Sequence, residues 1–441
     1  MRQDIISISK RRIDCSRLSQ RIAMSEKKTR FRYEAAQVLV GKIAILAASM
    51  VSSIYFSRML QAQGKGELAV VTAITGIFAQ FSNLGLHSAH TYYVSKDRSL
   101  QGKAEGNILI LFVITLLVAA ASYPVLVLNQ ALVKIPPYLT AMALMGFVVS
   151  LSLLMQENLF LAIGDLREYN VLQILGILLN IVLAVIASIW LKVDVYLVAT
   201  LYAITPALVL AFSWFDRNMV RPKVSLPFFF RVMPYGMGSY VSCLTTYLLL
   251  RTDILMLNYF LEKTEVGLYS QAVALSDMLY MFSSSVSAVL FPKLASFETV
   301  EQKAAMMGRV MKVMTPVILA AAAGLGVFAR IIVLLLYGDG YLGSVPLVRA
   351  LLISSVAWGL SGFAFNFFAS ESKFSEAIFV PLIGCILNIG MNYFLIPKMH
   401  NMGAAIASDV SYVFVAVVMF CCMHRYIEKA KGRKKGIWKK L

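Results

Sequence analysis

The chain has 441 residues, of which 59% are hydrophobic and 15% charged, with a mean hydropathy of +0.74 and a formal net charge of +18. Soluble proteins carry about 25% charged and roughly 45–50% apolar residues, and here the apolar excess runs along the whole chain. A soluble enzyme is therefore effectively excluded, and basic residues gathered at the two ends and in short connections read as membrane topology rather than nucleic-acid binding.

Residues 1–35 form a polar, basic segment expected on the cytoplasmic side. It lacks the apolar core of about 7–15 residues that marks a secretory leader. Met24, which opens MSEKKTRFRYEAA, is a plausible alternative start, and residues 1–23 are then expected to be dispensable or untranslated. A membrane-crossing helix needs roughly 20 mostly apolar residues. Twelve segments qualify: 36–57, 68–93, 107–128, 138–162, 170–191, 195–215, 229–250, 266–291, 310–336, 345–369, 377–396 and 403–423. The expected fold class is an all-α polytopic membrane protein, with about twelve spans in two six-helix bundles around a central cavity. The bundles are 36–215 and 229–423, joined by a cytoplasmic linker at 216–228 and followed by a basic cytoplasmic tail at 424–441. With both ends inside, 31 Lys and Arg lie on the inner side and seven on the outer, which favours an even number of spans.

The five cysteines, Cys15, Cys243, Cys385, Cys421 and Cys422, show no C-x-x-C spacing. They read as small apolar residues rather than metal ligands or disulfides. No metal site is expected.

Residues 158–181 align with 366–389 at a constant offset of 208, with seven of 24 positions identical. The identities include Asn158/Asn366, Gly176/Gly384 and Asn180/Asn388. At an offset of 201, Leu60, Gly66 and Ser95 fall on Leu261, Gly267 and Ser296. Spans 1–6 thus repeat as spans 7–12 in parallel orientation. Asn158, Asn180, Asn366 and Asn388 are read as repeat-related structural residues, their amides turned to protein or a wet cavity rather than lipid.

Several stretches resemble the polysaccharide and O-antigen flippase branch of the multidrug/oligosaccharidyl-lipid/polysaccharide (MOP) exporter superfamily. They are RMLQAQGKGELAVV; Asp253, Val266-Gly267-Leu268-Tyr269 and Leu290-Phe291-Pro292-Lys293-Leu294-Ala295; and the run from Asn388 to Ala405. In the last of these, His400-Asn401 stands where the family usually has a glycine. The resemblance covers about residues 30–425. It implies two bundles that alternate between inward and outward openings. The implied task is to carry undecaprenyl-pyrophosphate-linked oligosaccharide units across the bacterial cytoplasmic (inner) membrane for surface polysaccharide, O-antigen (lipopolysaccharide) or capsule. Implied partners are the lipid-linked oligosaccharide, membrane lipids, and a polysaccharide polymerase with chain-length machinery. No cofactor is expected, and no nucleotide-binding G-x-x-x-x-G-K-[ST] occurs; H+ or Na+ coupling is the candidate energy source.

Moving a pyrophosphate through hydrocarbon requires cations along a wet path. The candidate cavity bases are Lys42, Arg58, Arg251, Arg330 and Arg349. Arg58 and Arg251 also suit snorkelling to headgroups, and Asp339 or Glu371 is a candidate partner for Arg330. Span 1 places Lys42, Ser49, Ser52 and Ser53 on one side; span 7 offers a stripe of Tyr235, Ser239, Ser242, Thr246 and Asp253; span 8 spaces Ser270, Asp277 and Ser284 by seven residues. Glu157, Asp277 and Asp409 are the candidates for ion coupling or for buried ion pairs. Pro124, Pro206, Pro234 and Pro316 fall in or near spans, where they bend helices.

Three rival readings are weighed. A drug/ion antiporter of the same superfamily would favour acids in its cavity. A membrane-embedded polymerase or ligase would need a large catalytic loop, whereas His87, His90, His400 and His424 form no nucleophile–base set. A peptidoglycan-precursor flippase usually carries further C-terminal helices.

Overall fold

The structure is a computed structural model that describes residues 41, 44–129, 134–215, 220–371 and 373–438. Lys42 and Cys15 lie outside the described residues, as do the whole basic N-terminal segment 1–35 and part of the linker.

Every described element is helical. In chain order they are α1 (Ala44–Ser82), α2 (Leu86–Lys96), α3 (Gln101–Leu128), α4 (Pro137–Ile163), α5 (Leu166–Ser188), α6 (Val195–Ser213), α7 (Leu226–Phe260), α8 (Lys263–Ala295), α9 (Val300–Tyr337), α10 (Val345–Ser370) and α11 (Phe374–Trp438). Eight helices are long and apolar enough to cross a membrane, or nine if α1 and α2 form one broken span.

Among the helices longer than a single crossing, two are interrupted within their length. At ~1.5 Å per residue, α1 is close to twice and α11 about three times the ~30 Å of a hydrocarbon layer. Each is interrupted by a residue with positive φ: Gln61 (φ 57) in α1, and His400 (φ 53, ψ −137) in α11. His400 occupies the place where the resembling family has glycine. A side chain there carries backbone strain that glycine would not.

Local signals set the helix ends. The Asp165 carboxylate accepts from the Glu168 backbone N–H at 3.2 Å, the Asp194 carboxylate from Leu197 N–H at 2.9 Å, and the Thr299 hydroxyl from Gln302 N–H at 3.3 Å. Pro124, Pro206, Pro234 and Pro316 all lie inside helices, as expected. Three features depart from the sequence expectation. Span 2 is broken at 83–85, where Leu84 (φ 50) and Gly85 (φ 70) turn α2 by 53° from α1. Helix α7 runs ten residues past the expected 250, and helix continues through the basic tail as far as Trp438. Of the described cysteines only Cys385 is buried.

In the N-terminal half, α4 packs against α2, α3, α5 and α6, with Phe147, Leu151 and Phe160 at its centre. In the C-terminal half, α10 packs against α8, α9 and α11, around Phe363, Phe367 and Phe368. A third core, including Leu68, Val70, Leu257, Val266, Tyr269 and Ala404, joins the halves. A buried ion pair ties the C-terminal half: Lys303 Nζ lies 2.5 Å from Glu371 Oε1, and the Tyr426 hydroxyl donates to Glu371 Oε2 at 2.7 Å. Glu371 therefore belongs to Lys303 and not to Arg330.

Candidate functional site

A cavity of about 660 Å³ lies between the halves. Ser49, Ser52 and Ser53 of α1 line it, as the spacing of span 1 predicts. Past the Gln61 break, Lys65 and Thr72 face it; α5 contributes Asn180, α6 Tyr202 and Thr205, α7 Tyr247 and Arg251, and α8 Ser270. The lining thus holds two cations, Lys65 and Arg251, with hydroxyls, an amide and aromatic rings, and no carboxylate among the described residues. Arg251 Nη2 donates to Asp277 Oδ2 at 3.2 Å, and both side chains keep over a third of their surface exposed. Lys65 makes no hydrogen bond or ion pair with any described residue.

Contacts between the halves close on this cavity from both ends. At one end, Gly66 and Gly267 bring two chain reversals into backbone contact. A β-carbon on Gly66 would stand 1.8 Å from the Lys263 carbonyl oxygen, and one on Gly267 would stand 1.8 Å from the Ala62 carbonyl oxygen. Around them, the Ser57 hydroxyl donates to Gln271 Oε1 at 2.8 Å and the Tyr341 hydroxyl donates to Ser57 O at 2.9 Å. At the other end, Gly85 meets Gly236 so closely that a β-carbon on either would lie 2.2–2.5 Å from the opposing carbonyl oxygen. There Tyr92 stacks on Tyr235 with centroids 4.1 Å apart, and the Tyr240 hydroxyl donates to Phe81 O at 3.0 Å.

Of the predicted cavity bases among the described residues, the structure brings only Arg251 to the cavity. Arg58 is exposed, and its guanidinium donates to the carbonyls of Leu335 and Leu336, the latter at 2.8 Å, at the end of α9. Arg330 is exposed on α9, and Arg349 lines a separate groove, its Nε donating to Gly326 O at 3.0 Å. The expected polar stripe on span 7 is also not the one that faces the cavity. Tyr247, Arg251 and Ile254 do so, while Tyr235 serves the far contact and Asp253 turns into the C-terminal half, 2% exposed, accepting from the Tyr269 hydroxyl at 2.5 Å.

Lys65 was missed because it sits between glycines in a short polar stretch that reads as an external turn. The signal lay in its neighbour: Gly66 matches Gly267 in the repeat, and the tight contact of that pair brings Lys65 over the cavity.

The candidate acids separate. Asp277 pairs with Arg251, and Asp409 accepts from the Ser354 backbone N–H at 2.9 Å. Glu157 is buried and accepts from the Gln173 side-chain amide at 3.1 Å, with no ion pair to a cation among the described residues. It lies one turn along α4 from Leu153, a cavity residue, and Gln173 lies one turn along α5 from Gly176 and Ile177, also cavity residues. A water-sized space of about 20 Å³ inside the C-terminal half touches Asp253, Tyr269, Asp277, Ser354, Ser408 and Tyr412.

The repeat-related asparagines also part company. Asn180 Nδ2 donates to the Thr205 hydroxyl at 3.2 Å and the residue faces the cavity. Asn388 is fully buried, donating to Ser408 at 3.5 Å and accepting from Asn392 Nδ2 at 2.8 Å. Asn158 Nδ2 caps the Leu154 carbonyl at 2.8 Å, and Asn366 is half-buried. No group of three or more His, Cys, Asp or Glu able to hold a metal occurs among the described residues.

The chain was compared with known proteins. The family model described as "Polysaccharide biosynthesis protein" matches residues 34–298, and that of "Lipid II flippase MurJ" matches residues 237–440. A probable low-salt glycan biosynthesis flippase, Agl15 of Haloferax volcanii, is 22% identical over 383 residues, covering 82% of this chain and 77% of that protein. The uncharacterized membrane protein MJ1068 of Methanocaldococcus jannaschii is 25% identical over 227 residues, covering 51% of this chain; the match spans 43% of that protein's length. Among solved structures, the inward closed conformation of the lipid II flippase MurJ superposes with a TM-score of 0.71 at 13% identity, covering 89% of this chain and 87% of that one. The inward-facing conformation of a multidrug resistance MATE transporter of the MOP superfamily gives 0.69 at 15%, covering 89% and 99%. These two likenesses speak for the fold. The family match over more than half of its length shows that the chain belongs to the polysaccharide biosynthesis protein family, and its long apolar helices make it a multi-pass membrane protein.

Proposed function

We propose that the protein is a flippase that moves undecaprenyl-pyrophosphate-linked oligosaccharide repeat units across the bacterial cytoplasmic membrane, for a surface polysaccharide such as O-antigen or capsule. The observation that carries this reading is the lining of the central cavity: two cations, a ring of hydroxyls and no carboxylate among the described residues. A pyrophosphate headgroup in hydrocarbon costs several kcal/mol or more unless opposite charge meets it. Arg251 and Lys65 supply that charge, from opposite halves. Ser52, Ser53, Thr72, Asn180 and Tyr202 offer hydrogen bonds and ring faces to sugars, while the lipid tail stays in the bilayer. Tightening and release of the two end contacts exposes the cavity to one side and then the other. In this reading the halves are 36–215 and 229–423, both termini are cytoplasmic, and a polymerase with chain-length machinery takes the product.

A drug/ion antiporter of the same superfamily fits less well, because an organic cation would meet two positive charges in the cavity. Energy coupling falls to Glu157, a buried carboxyl whose side-chain partner among the described residues is the Gln173 amide rather than a cation, a setting in which a carboxyl can take up and release a proton. Asp277 instead positions Arg251.

The test is uptake of a fluorescent lipid-linked oligosaccharide by proteoliposomes containing the full chain. Arg251→Gln with Lys65→Gln lowers the rate by about a hundredfold, as expected for two charge-assisted contacts, with protein yield unchanged. A rate within twofold of the parent, or faster uptake of a quaternary ammonium dye than of the oligosaccharide, rejects the reading. In the same assay Glu157→Gln removes the stimulation by an imposed pH gradient; stimulation that survives the substitution rules Glu157 out.

A further inference from the structure

A second recess, sharing no residue with the central cavity, opens between α9, α10 and the part of α11 that follows His400. Its volume is about 1,090 Å³ and its walls are almost wholly apolar. The floor recedes because α9 presents Ala322, Ala323 and Gly326 there, and Leu352, Val356 and Val417 form the sides. Arg349 is the one charged residue among those that line it. Its Nε is held by the Gly326 carbonyl at 3.0 Å, while its remaining guanidinium N–H groups bond to no described residue. Arg330 follows Ala323, Gly326 and Val327 at i+7, i+4 and i+3. Helical spacing therefore sets it on the same face of α9, where it is exposed and without a partner among the described residues.

The two arginines stand at similar depth. Arg349 is four residues after the start of α10 and Arg330 seven before the end of α9, about 6 and 10 Å in from the helix ends. Long basic side chains at that depth reach the headgroup layer. Along α10 the recess runs from Arg349 to Leu360, about 16 Å, which is roughly half the ~30 Å hydrocarbon thickness and so one leaflet.

We infer that this groove is a binding site for an anionic glycerophospholipid of the surrounding membrane. Its phosphate is taken by the guanidinium groups of Arg349 and Arg330, and an acyl chain lies on the Ala322, Ala323 and Gly326 floor. Two arginines without a carboxylate among the lining residues favour a headgroup of net negative charge over a zwitterionic one. The one-leaflet length suits an ordinary acyl chain, and a long polyprenyl carrier would overrun it. Occupancy bridges α9 and α10, so the lipid acts as a strut of the C-terminal half and takes no part in cargo binding.

The experiment uses the full chain in vesicles of phosphatidylcholine with one quarter phosphatidylglycerol, extracted into mild detergent, with retained lipid counted by native mass spectrometry. The parent retains phosphatidylglycerol in preference to phosphatidylcholine. Arg330→Gln with Arg349→Gln lowers phosphatidylglycerol retention by at least about fivefold, with an unchanged elution volume. Ala323→Phe, which fills the floor, lowers it to a similar degree. Equal retention of the two lipids by the parent, or undiminished phosphatidylglycerol in the double-arginine variant, overturns the assignment. Displacement of phosphatidylglycerol by an equimolar polyprenyl phosphate also overturns it, in favour of the carrier lipid.

Discussion

The two halves repeat one sequence plan, yet they share their tight contacts and divide their chemistry. Gly66 and Gly267 are equivalent under the repeat and touch each other, each within reach of the carbonyl opposite. The charges have no such symmetry. At the 201-residue offset, Arg251, Asp253 and Asp277 of the C-terminal half correspond to Met50, Ser52 and Gly76, and Lys65 corresponds to the fully buried Val266. At the 208-residue offset, Glu157 corresponds to Phe365, which packs on Trp358 with ring centroids 5.8 Å apart. The polar roles differ: the C-terminal half holds the Arg251–Asp277 pair, and the N-terminal half holds Lys65 and Glu157, neither in an ion pair with a described residue.

The largest expected effect comes from breaking the shared feature. Gly66→Val or Gly267→Val puts carbon where a carbonyl oxygen stands, and overpacking costs about 1–3 kcal/mol or more. Either substitution should therefore prevent that end from closing. Paired cysteines at Ser57 and Gln271, 2.8 Å apart through their side chains, should cross-link readily in a background without native cysteines. With either valine the yield should fall by at least about tenfold; an unchanged yield would show that the glycines do not govern closure.

A middle-sized effect sharpens the comparison at positions that are identical in sequence and different in surroundings. Asn388→Ala leaves Asn392 without its acceptor inside a packed bundle and should cost about 1–3 kcal/mol. Asn180→Ala opens onto the cavity and should cost less than about 1 kcal/mol. Gly176 and Gly384 form a parallel pair. A β-carbon on Gly384 would lie 2.5 Å from Val415 Cγ2, whereas on Gly176 the nearest atom is 3.8 Å away. Alanine should lower the unfolding midpoint at Gly384 and leave it nearly unchanged at Gly176. Equal shifts within either pair would mean that the two halves are packed alike.

The smallest expected effect lies at the reversal in α11. His400 holds φ 53 and ψ −137, so His400→Gly should raise stability by up to about 1 kcal/mol through relief of backbone strain. A lower unfolding midpoint for that variant would show that the imidazole makes a contact worth more than the strain.

Much of this architecture is legible in the chain alone. Runs of about 20 apolar residues must become helices in lipid, because backbone N–H and C=O groups there find partners only within the helix. The prolines, the repeat and the serine face of span 1 follow from the same linear pattern. What the pattern could not convey is rotation and depth. Arg251, Arg330 and Arg349 are equally basic in an apolar context, and a helix turned by about a third of a revolution sends such a residue to a cavity or to lipid. Which of them faces the cavity was settled by neighbours far away in sequence, Asp277 for Arg251 and Gly326 for Arg349. Lys65 shows the same limit from the other side. Its place over the cavity depends on the contact between Gly66 and Gly267, about 200 residues apart. Side-chain chemistry and local periodicity determined that the chain is helical and apolar enough to cross a membrane many times; only packing between distant helices decided which charges face the central cavity and which lie outside it.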